Sequence, residues 1–269
     1  MKIKTSLKIA LICLLSCAWV LGAAPRAPAQ DTIKYSCSNQ VYEAFEKEKI
    51  AAFTEATGIK VDVKRASSGS CAYRLITGNC DIASSARKLY RRHELYGFKE
   101  TPFCRDPIAV IARVECGVDS ITEEQLQDIF AGDITNWKEV GGADLSIMII
   151  VPDTDTAAHK NFRRQVMKLK EIDHDFMAYD STMVIEAVKH FPCGAVSFIS
   201  QGAAMHHKEI KIIKIDGLAP TDADYPYFQI FYYVTKGEPA GNLKKFVDYT
   251  FSEEGQKIIL KYGMIPISR

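Results

Sequence analysis

The alternation of apolar runs with capped amphipathic segments over residues 32–84 constrains this chain more than any other feature. Residues 32–35 are strand-like, and Ser38 opens an amphipathic run, 41–56, that Thr57-Gly58 stops. Residues 59–63 read as a second strand. Ser67-Ser68-Gly69-Ser70 then opens a helix over 71–77, Gly78 ends it, and 81–84 form a third strand. Strand, helix, strand, helix, strand implies right-handed crossovers on a parallel sheet with helices on its faces. Ligands of such sheets sit at the strands' carboxyl ends, where helix N-termini present unpaired N–H groups.

The pattern continues to the end of the chain. Residues 108–112 and 147–151 are continuous apolar runs and hence buried strands, and Thr122 begins a capped helix. Asp153-Thr154-Asp155-Thr156 leads into a helix over 157–169, and Ser181 or Thr182 caps another through residue 188. Strands are expected at 195–199 and 228–234, and terminal helices at 243–251 and 253–262. This is an α/β chain of two lobes with no marked linker. Its 269 residues, 47% hydrophobic and 25% charged, exclude disorder, collagen and coiled coil.

Residues 1–29 read as a removed secretory signal: early lysines, an apolar stretch over 9–24, and Ala27-Pro28-Ala29 as a small-x-small cleavage pattern. An uncleaved anchor and lipidation at Cys17 are the alternatives, and each also places the folded part outside the cytoplasm, periplasmic or secreted. Lys2, Lys4, Lys8 and Arg26 lie in this segment, so the rest is mildly acidic despite the overall charge of +1. That balance does not suit a nucleic-acid partner. Beyond the leader, Cys37, Cys71, Cys80, Cys104, Cys116 and Cys193 sit in a compartment that permits disulfides, and disulfide bonding is expected, with the pairing open. No cysteine spacing matches a zinc ribbon or thioredoxin-type motif.

The run Ile121-Thr122-Glu123-Glu124-Gln125-Leu126 continues through Ala131-Gly132-Asp133-Ile134-Thr135-Asn136-Trp137 to Gly141-Gly142. It is accompanied by Gly78-Asn79-Cys80-Asp81-Ile82-Ala83-Ser84-Ser85-Ala86-Arg87, by Gly194-Ala195-Val196, and by Phe251-Ser252-Glu253-Glu254-Gly255-Gln256-Lys257 near the end. Together these segments resemble the periplasmic phosphate-binding proteins of ABC transporters. The resemblance implies a two-lobed type II periplasmic-binding-protein fold with a ligand cleft between lobes. It places lobe 1 at 30–105 plus 230–269 and lobe 2 at 106–229. It also implies capture of a small oxyanion, phosphate or a relative, by a monomer that serves an ABC permease or a membrane sensor, with no cofactor.

In such proteins hydroxyls and backbone amides at helix starts hold the oxyanion, which helix-end N–H groups favour electrostatically. The matching positions here are Cys37, Ser38 and Asn39 in the first loop and Ser68, Gly69, Ser70 and Cys71 in the second. Ser85 and Arg87 match a third turn, and Thr156, His159, Ser181 and Thr182 belong to the second lobe. Ser38 and Ser70 could instead serve only as helix caps. Two departures stand out: Ala86 has no hydroxyl, and the family's second-lobe arginine is replaced near Val151-Pro152. Losing that cation removes a contact of ~1.5–3 kcal/mol, so weakened phosphate affinity is expected.

Two alternatives come from the cysteines. Cys37, Cys71, His159 and Cys193 could hold arsenite or a thiophilic metal, because a helix N-terminus lowers a thiol's pKa. A Cys–His pair could also serve as nucleophile and base. No Gly-x-Ser-x-Gly elbow, HExxH helix or GxxxxGK[ST] loop occurs, and a binding protein rather than an enzyme is expected.

Overall fold

A computed structural model describes residues 32–89, 96–191, 194–205 and 207–268. The expected signal at 1–29 lies outside these residues. Strand β1 (Thr32–Ser38) pairs in parallel with β2 (Lys60–Ala66) and β3 (Ile82–Ser85), as the alternation predicts. Between β1 and β2 the chain is helical from Asn39–Val41 (α1), through a π segment Tyr42–Glu46, to Lys47–Thr57 (α2), where left-handed Gly58 ends it. Helix α3 (Ser68–Ile76) returns to β3.

β4 (Phe98–Arg113) is far longer than the expected run at 108–112. Its first part pairs antiparallel with β10 (Phe228–Lys236), and its last part pairs with β8 (Gly194–Ser200) and β9 (Ile210–Ile215). A strand this long serves both halves of the molecule, so its apolar periodicity changes partway along and only the doubly buried part is legible in sequence. The sheet order β2-β1-β3-β10-β4-β8-β6-β7 is mixed. β6 (Ile147–Pro152) is parallel to β8 and to β7 (Phe176–Ala178), while β10 runs antiparallel between β3 and β4. β5 (Ser120–Ile121) pairs with β9, and β11 (Ile265–Pro266) pairs with β4.

Separate cores flank this sheet. Tyr35, Phe45, Phe53, Phe103, Tyr233 and Phe246 centre the first, where α2 packs with α8 (Gly241–Thr250) and α9 (Glu253–Lys261). Phe130, Trp137, Phe162 and Phe198 centre another, under α4 (Glu123–Ala131), whose Thr122–Gln125 capping box is formed as expected, and α5 (Ala157–Gln165). A third, around Ile111, Val184 and Ile199, lies beneath α6 (Ser181–His190) and α7 (Gln201–Ala204). Trp137 is fully buried and its Nε1 donates to the Gly194 carbonyl at 2.7 Å. A Cβ at Gly194 would run into the indole, so only glycine lets the ring sit against the strand.

The disulfides expected from the compartment are not found among the described residues, where Cys37, Cys71, Cys80, Cys104 and Cys116 are all free. Cys37, Cys71, Cys104 and Cys116 are buried and act as small apolar core residues. Cys193 lies outside the described residues.

Candidate functional site

Parallel strands deliver their helices to one place. The carboxyl ends of β1, β2, β6 and β7 lead to the starts of α1, α3, α5 and α6, and these four helix starts border a cavity of about 60 Å³. Ser38, Asn39, Gln40, Ala66, Ser67 and Ser68 form its wall on one side; Pro152, Thr156, Ala157, Ala158, Tyr179, Asp180 and Ser181 form the other. Sites for drug-sized ligands occupy ~300–1,000 Å³, so this one suits a single small ion.

Three of these four helix starts are held by a side-chain cap. Ser67 Oγ accepts from Ser70 N–H, Thr156 Oγ from His159 N–H, and Asp180 Oδ1 from Met183 N–H at 2.8 Å. The last contact corrects the sequence reading, in which Ser181 or Thr182 caps α6: the aspartate one residue earlier takes the role, leaving Ser181 inside the first turn. Ser38 makes no side-chain cap either. Its Oγ faces that of Ser68 at 3.2 Å, and Ser68 Oγ accepts the Ala86 N–H at 3.1 Å. With Ser68 occupied as an acceptor, a hydroxyl proton of the serine pair is available to the cavity. The missing hydroxyl of Ala86 is thus offset by its backbone N–H, which orients Ser68.

Of the residues expected at a ligand, Ser38, Asn39, Ser68, Thr156 and Ser181 line this cavity. Thr182 lines a larger adjoining groove of about 570 Å³, which shares Ser181. Ser70 is engaged with Ser67, and Ser85 Oγ donates to the Arg87 carbonyl at 2.6 Å and accepts the Arg87 N–H, which holds the turn. Arg87 does not reach the lining, but its guanidinium lies beside Gly69 at the start of α3, where a Cβ would stand 3.6 Å from Nη2. Pro152 is in the wall where the resemblance predicts a lost arginine, and no lysine, arginine or histidine lines the cavity among the described residues. Asp153 and Asp155 stay out of it. Asp155 pairs with Lys160 at 3.0 Å, which holds its carboxyl below the usual range.

Cys37 and Cys71 stand apart from this cavity. Cys37 is fully buried in the first core, accepting from Ser84 Oγ, and Cys71 packs with Leu75 and Ala83. Burial pushes the Cys37 thiol well above its ordinary value and that of Cys71 up to about 11, outweighing any lowering by a helix start. The His159 ring packs 6.3 Å from that of Phe198, and burial lowers its pKa. Neither Cys37, Cys71 nor His159 lines the cavity, and among the described residues no group of three His, Cys, Asp or Glu could hold a metal.

Gln40, Ala66, Ser67, Ala157, Ala158, Tyr179 and Asp180 line the cavity although sequence reasoning did not select them as ligand residues. Ser67 and Asp180 carry a cap signal that could have found them. The others become neighbours only through the fold.

A twice-crossed mixed sheet, separate cores and a small polar cavity at strand carboxyl ends define a two-lobed periplasmic-binding-protein fold. The chain belongs to the PBP superfamily: residues 22–254 match that domain's family model. It is similar to the phosphate-binding protein PstS of Bacillus subtilis, 29% identical over 167 residues that cover 60% of this chain and 55% of the relative. It is also similar to PstS of Borreliella burgdorferi, 27% identical over 202 residues, 69% of this chain and 72% of that protein. The chain thus spans about half the length of the first relative and about seven-tenths of the second. Among solved structures, a Clostridium perfringens protein with bound phosphate superposes with a TM-score of 0.77 at 24% identity, covering 88% of this chain and all of that one. An ABC-type phosphate transport receptor from Vibrio cholerae gives 0.66 at 26% identity, covering 87% and 99%.

Proposed function

We propose that this chain is an exported solute-binding protein of the phosphate-binding type, a monomer that captures a small oxyanion between its lobes and presents it to an ABC permease. The observation that carries this reading is the convergence of four helix starts on a cavity of about 60 Å³ walled by serine hydroxyls. Helix starts supply N–H donors and a partial positive charge, and hydroxyls supply further donors, so an anion is stabilised without a cation in the wall. With lobe 1 at 30–105 plus 230–269 and lobe 2 at 106–229, Ser38, Asn39 and Ser68 approach from one lobe and Thr156 and Ser181 from the other. Closure then completes the site, and the ligand biases the molecule toward the closed state. Residues 1–29 serve as the export signal. The relatives' printed roles support the same reading.

Capture needs no bond cleavage, and the serine hydroxyls and helix-start N–H groups of the cavity offer donors to an anion. Titration calorimetry of the mature protein with phosphate, arsenate, sulfate and molybdate tests the reading. Saturable binding of phosphate is expected, weaker than an arginine-equipped site would give; no heat with any oxyanion would refute it.

A further inference from the structure

The π segment that joins α1 to α2 is a rare backbone form that recurs at functional sites, and three of its residues, Tyr42, Glu43 and Phe45, line the groove of about 570 Å³ beside the small cavity. The groove continues the cavity on three elements. Asn39 and Gln40 line the cavity and Tyr42 and Glu43 the groove; Ala66 lines the cavity and Arg65 the groove; Ser181 lines both, and Thr182 the groove. Three separate walls therefore pass from one space into the other. The cavity suits a single ion, whereas the groove has the volume that holds a small organic molecule.

The two spaces also differ in chemistry. No cation lines the cavity among the described residues, but Lys47 and Arg65 line the groove. Arg65 pairs with Glu43, which neutralises that acid, and its guanidinium lies 4.9 Å from the Tyr42 ring. Glu48 is held by Lys261 and by the Tyr262 hydroxyl, while Lys47 makes no ion pair among the described residues. Phe45, Ala51, Ile185 and Ala203 give the groove apolar surface. An inorganic oxyanion has no group to place against these side chains. We propose that the ligand is an organic oxyanion, a phosphate monoester or a phosphonate, whose tetrahedral head sits in the small cavity and whose carbon substituent lies in the groove against Tyr42. This rests on the oxyanion reading above and names the substrate class within it. The substituent gains by burying apolar area and by contact with the Tyr42 ring, and Lys47 supplies from the groove wall the positive charge that the cavity wall lacks.

The test is calorimetry with inorganic phosphate, phenyl phosphate and phenylphosphonate, each alone and in competition, on wild type, Tyr42→Ala and Ala51→Trp. Wild type is expected to bind at least one aryl ligand at least about tenfold more tightly than phosphate, and that ligand is expected to displace phosphate. Which aryl ligand is preferred distinguishes an ester from a phosphonate. Tyr42→Ala removes the ring, and Ala51→Trp fills the groove from an exposed position on α2, where the larger side chain does not disturb a core. Each variant is expected to lose at least about fivefold in affinity for the aryl ligand, and Ala51→Trp is expected to keep wild-type affinity for phosphate. Phosphate bound as tightly as both aryl ligands or more so, phosphate and aryl ligand bound at once, aryl affinity unchanged in both variants, or an equal loss for both kinds of ligand in Ala51→Trp overturns the inference while leaving oxyanion capture intact. Wild type that binds none of the three overturns the oxyanion reading, and this inference with it.

Discussion

Gln229 Nε2 donates to Asp106 Oδ2 at 2.7 Å, joining the paired strands β10 and β4. Both side chains are buried, and the contact belongs to a longer relay. Asp106 Oδ1 accepts from Ser200 Oγ at 2.9 Å at the start of α7. Gln229 Oε1 accepts from Asn161 Nδ2 of α5, and that same nitrogen reaches the Ala86 carbonyl, both at 3.1 Å. The Ala86 N–H is the group that orients Ser68 beside Ser38 in the cavity wall. A hydrogen-bonded path therefore runs from the candidate ligand site to the paired strands β4 and β10.

Asn161 joins Ala86 to Gln229 in this path, so with the lobes as proposed its removal should loosen closure without touching the cavity wall. Asn161→Ala is expected to raise the phosphate dissociation rate about ten- to a hundredfold, the kinetic equivalent of ~1.4–2.8 kcal/mol lost from the closed state. Stopped-flow release of phosphate, with small-angle scattering for the closed fraction, reads the effect. Wild-type release and wild-type compaction would show that the bridge is not used in closing.

Asp106 gives stability a distinctive pH dependence. Burial pushes its carboxyl up to about 7, against the opposing hydrogen bonds from Gln229 and Ser200. Between the ordinary carboxylate value near 3.8 and about 7, the native state holds a proton that the unfolded chain has released. Stability therefore falls as pH rises through this window, by on the order of a few kcal/mol at about 1.36 per unit. Urea unfolding at pH 5 and pH 8 should show a steeper loss in wild type than in Asp106→Asn; equal slopes would count against a raised carboxyl.

The first core encloses an ion pair. Lys49 Nζ lies 2.9 Å from Glu46 Oε1, 2.7 Å from Tyr233 Oη and 3.1 Å from Thr250 Oγ1, with both charged side chains fully buried. Glu46→Ala strands the cation and is expected to cost ~3–5 kcal/mol, whereas joint replacement by apolar residues of similar volume should cost much less. Chemical denaturation of the single and double variants separates the two; a mild single-variant loss would mean that water reaches the pair.

Gly194→Ala places a methyl against the Trp137 indole, whose Nε1 is anchored on the carbonyl of that same glycine. Overpacking of this kind costs ~1–3 kcal/mol. The expected signature is a lowered denaturation midpoint together with a changed tryptophan emission. An unaltered spectrum with wild-type stability would mean that the ring had room to shift.

Local signals in the sequence were enough for the α/β alternation, the parallel β1, β2 and β3 with their intervening helices, the Thr122 capping box and the glycine stops at 58 and 78, because each depends on residues a few positions apart. The family resemblance, placed on strand ends and helix starts, selected Ser38, Asn39, Ser68, Thr156 and Ser181, which line the cavity. Where two neighbouring residues compete for one role, as Asp180 and Ser181 do for the cap of α6, composition leaves the choice to backbone geometry. Only the tertiary structure decided that Cys37 and Cys71 are inert core residues, that β10 enters antiparallel, that Gln40 is left unpaired in a cavity wall, and that Asp106, Asn161 and Gln229 meet. Burial, desolvation and pairing between residues many tens of positions apart in sequence are set by how the elements pack, and no local pattern in a chain encodes the far side of a contact.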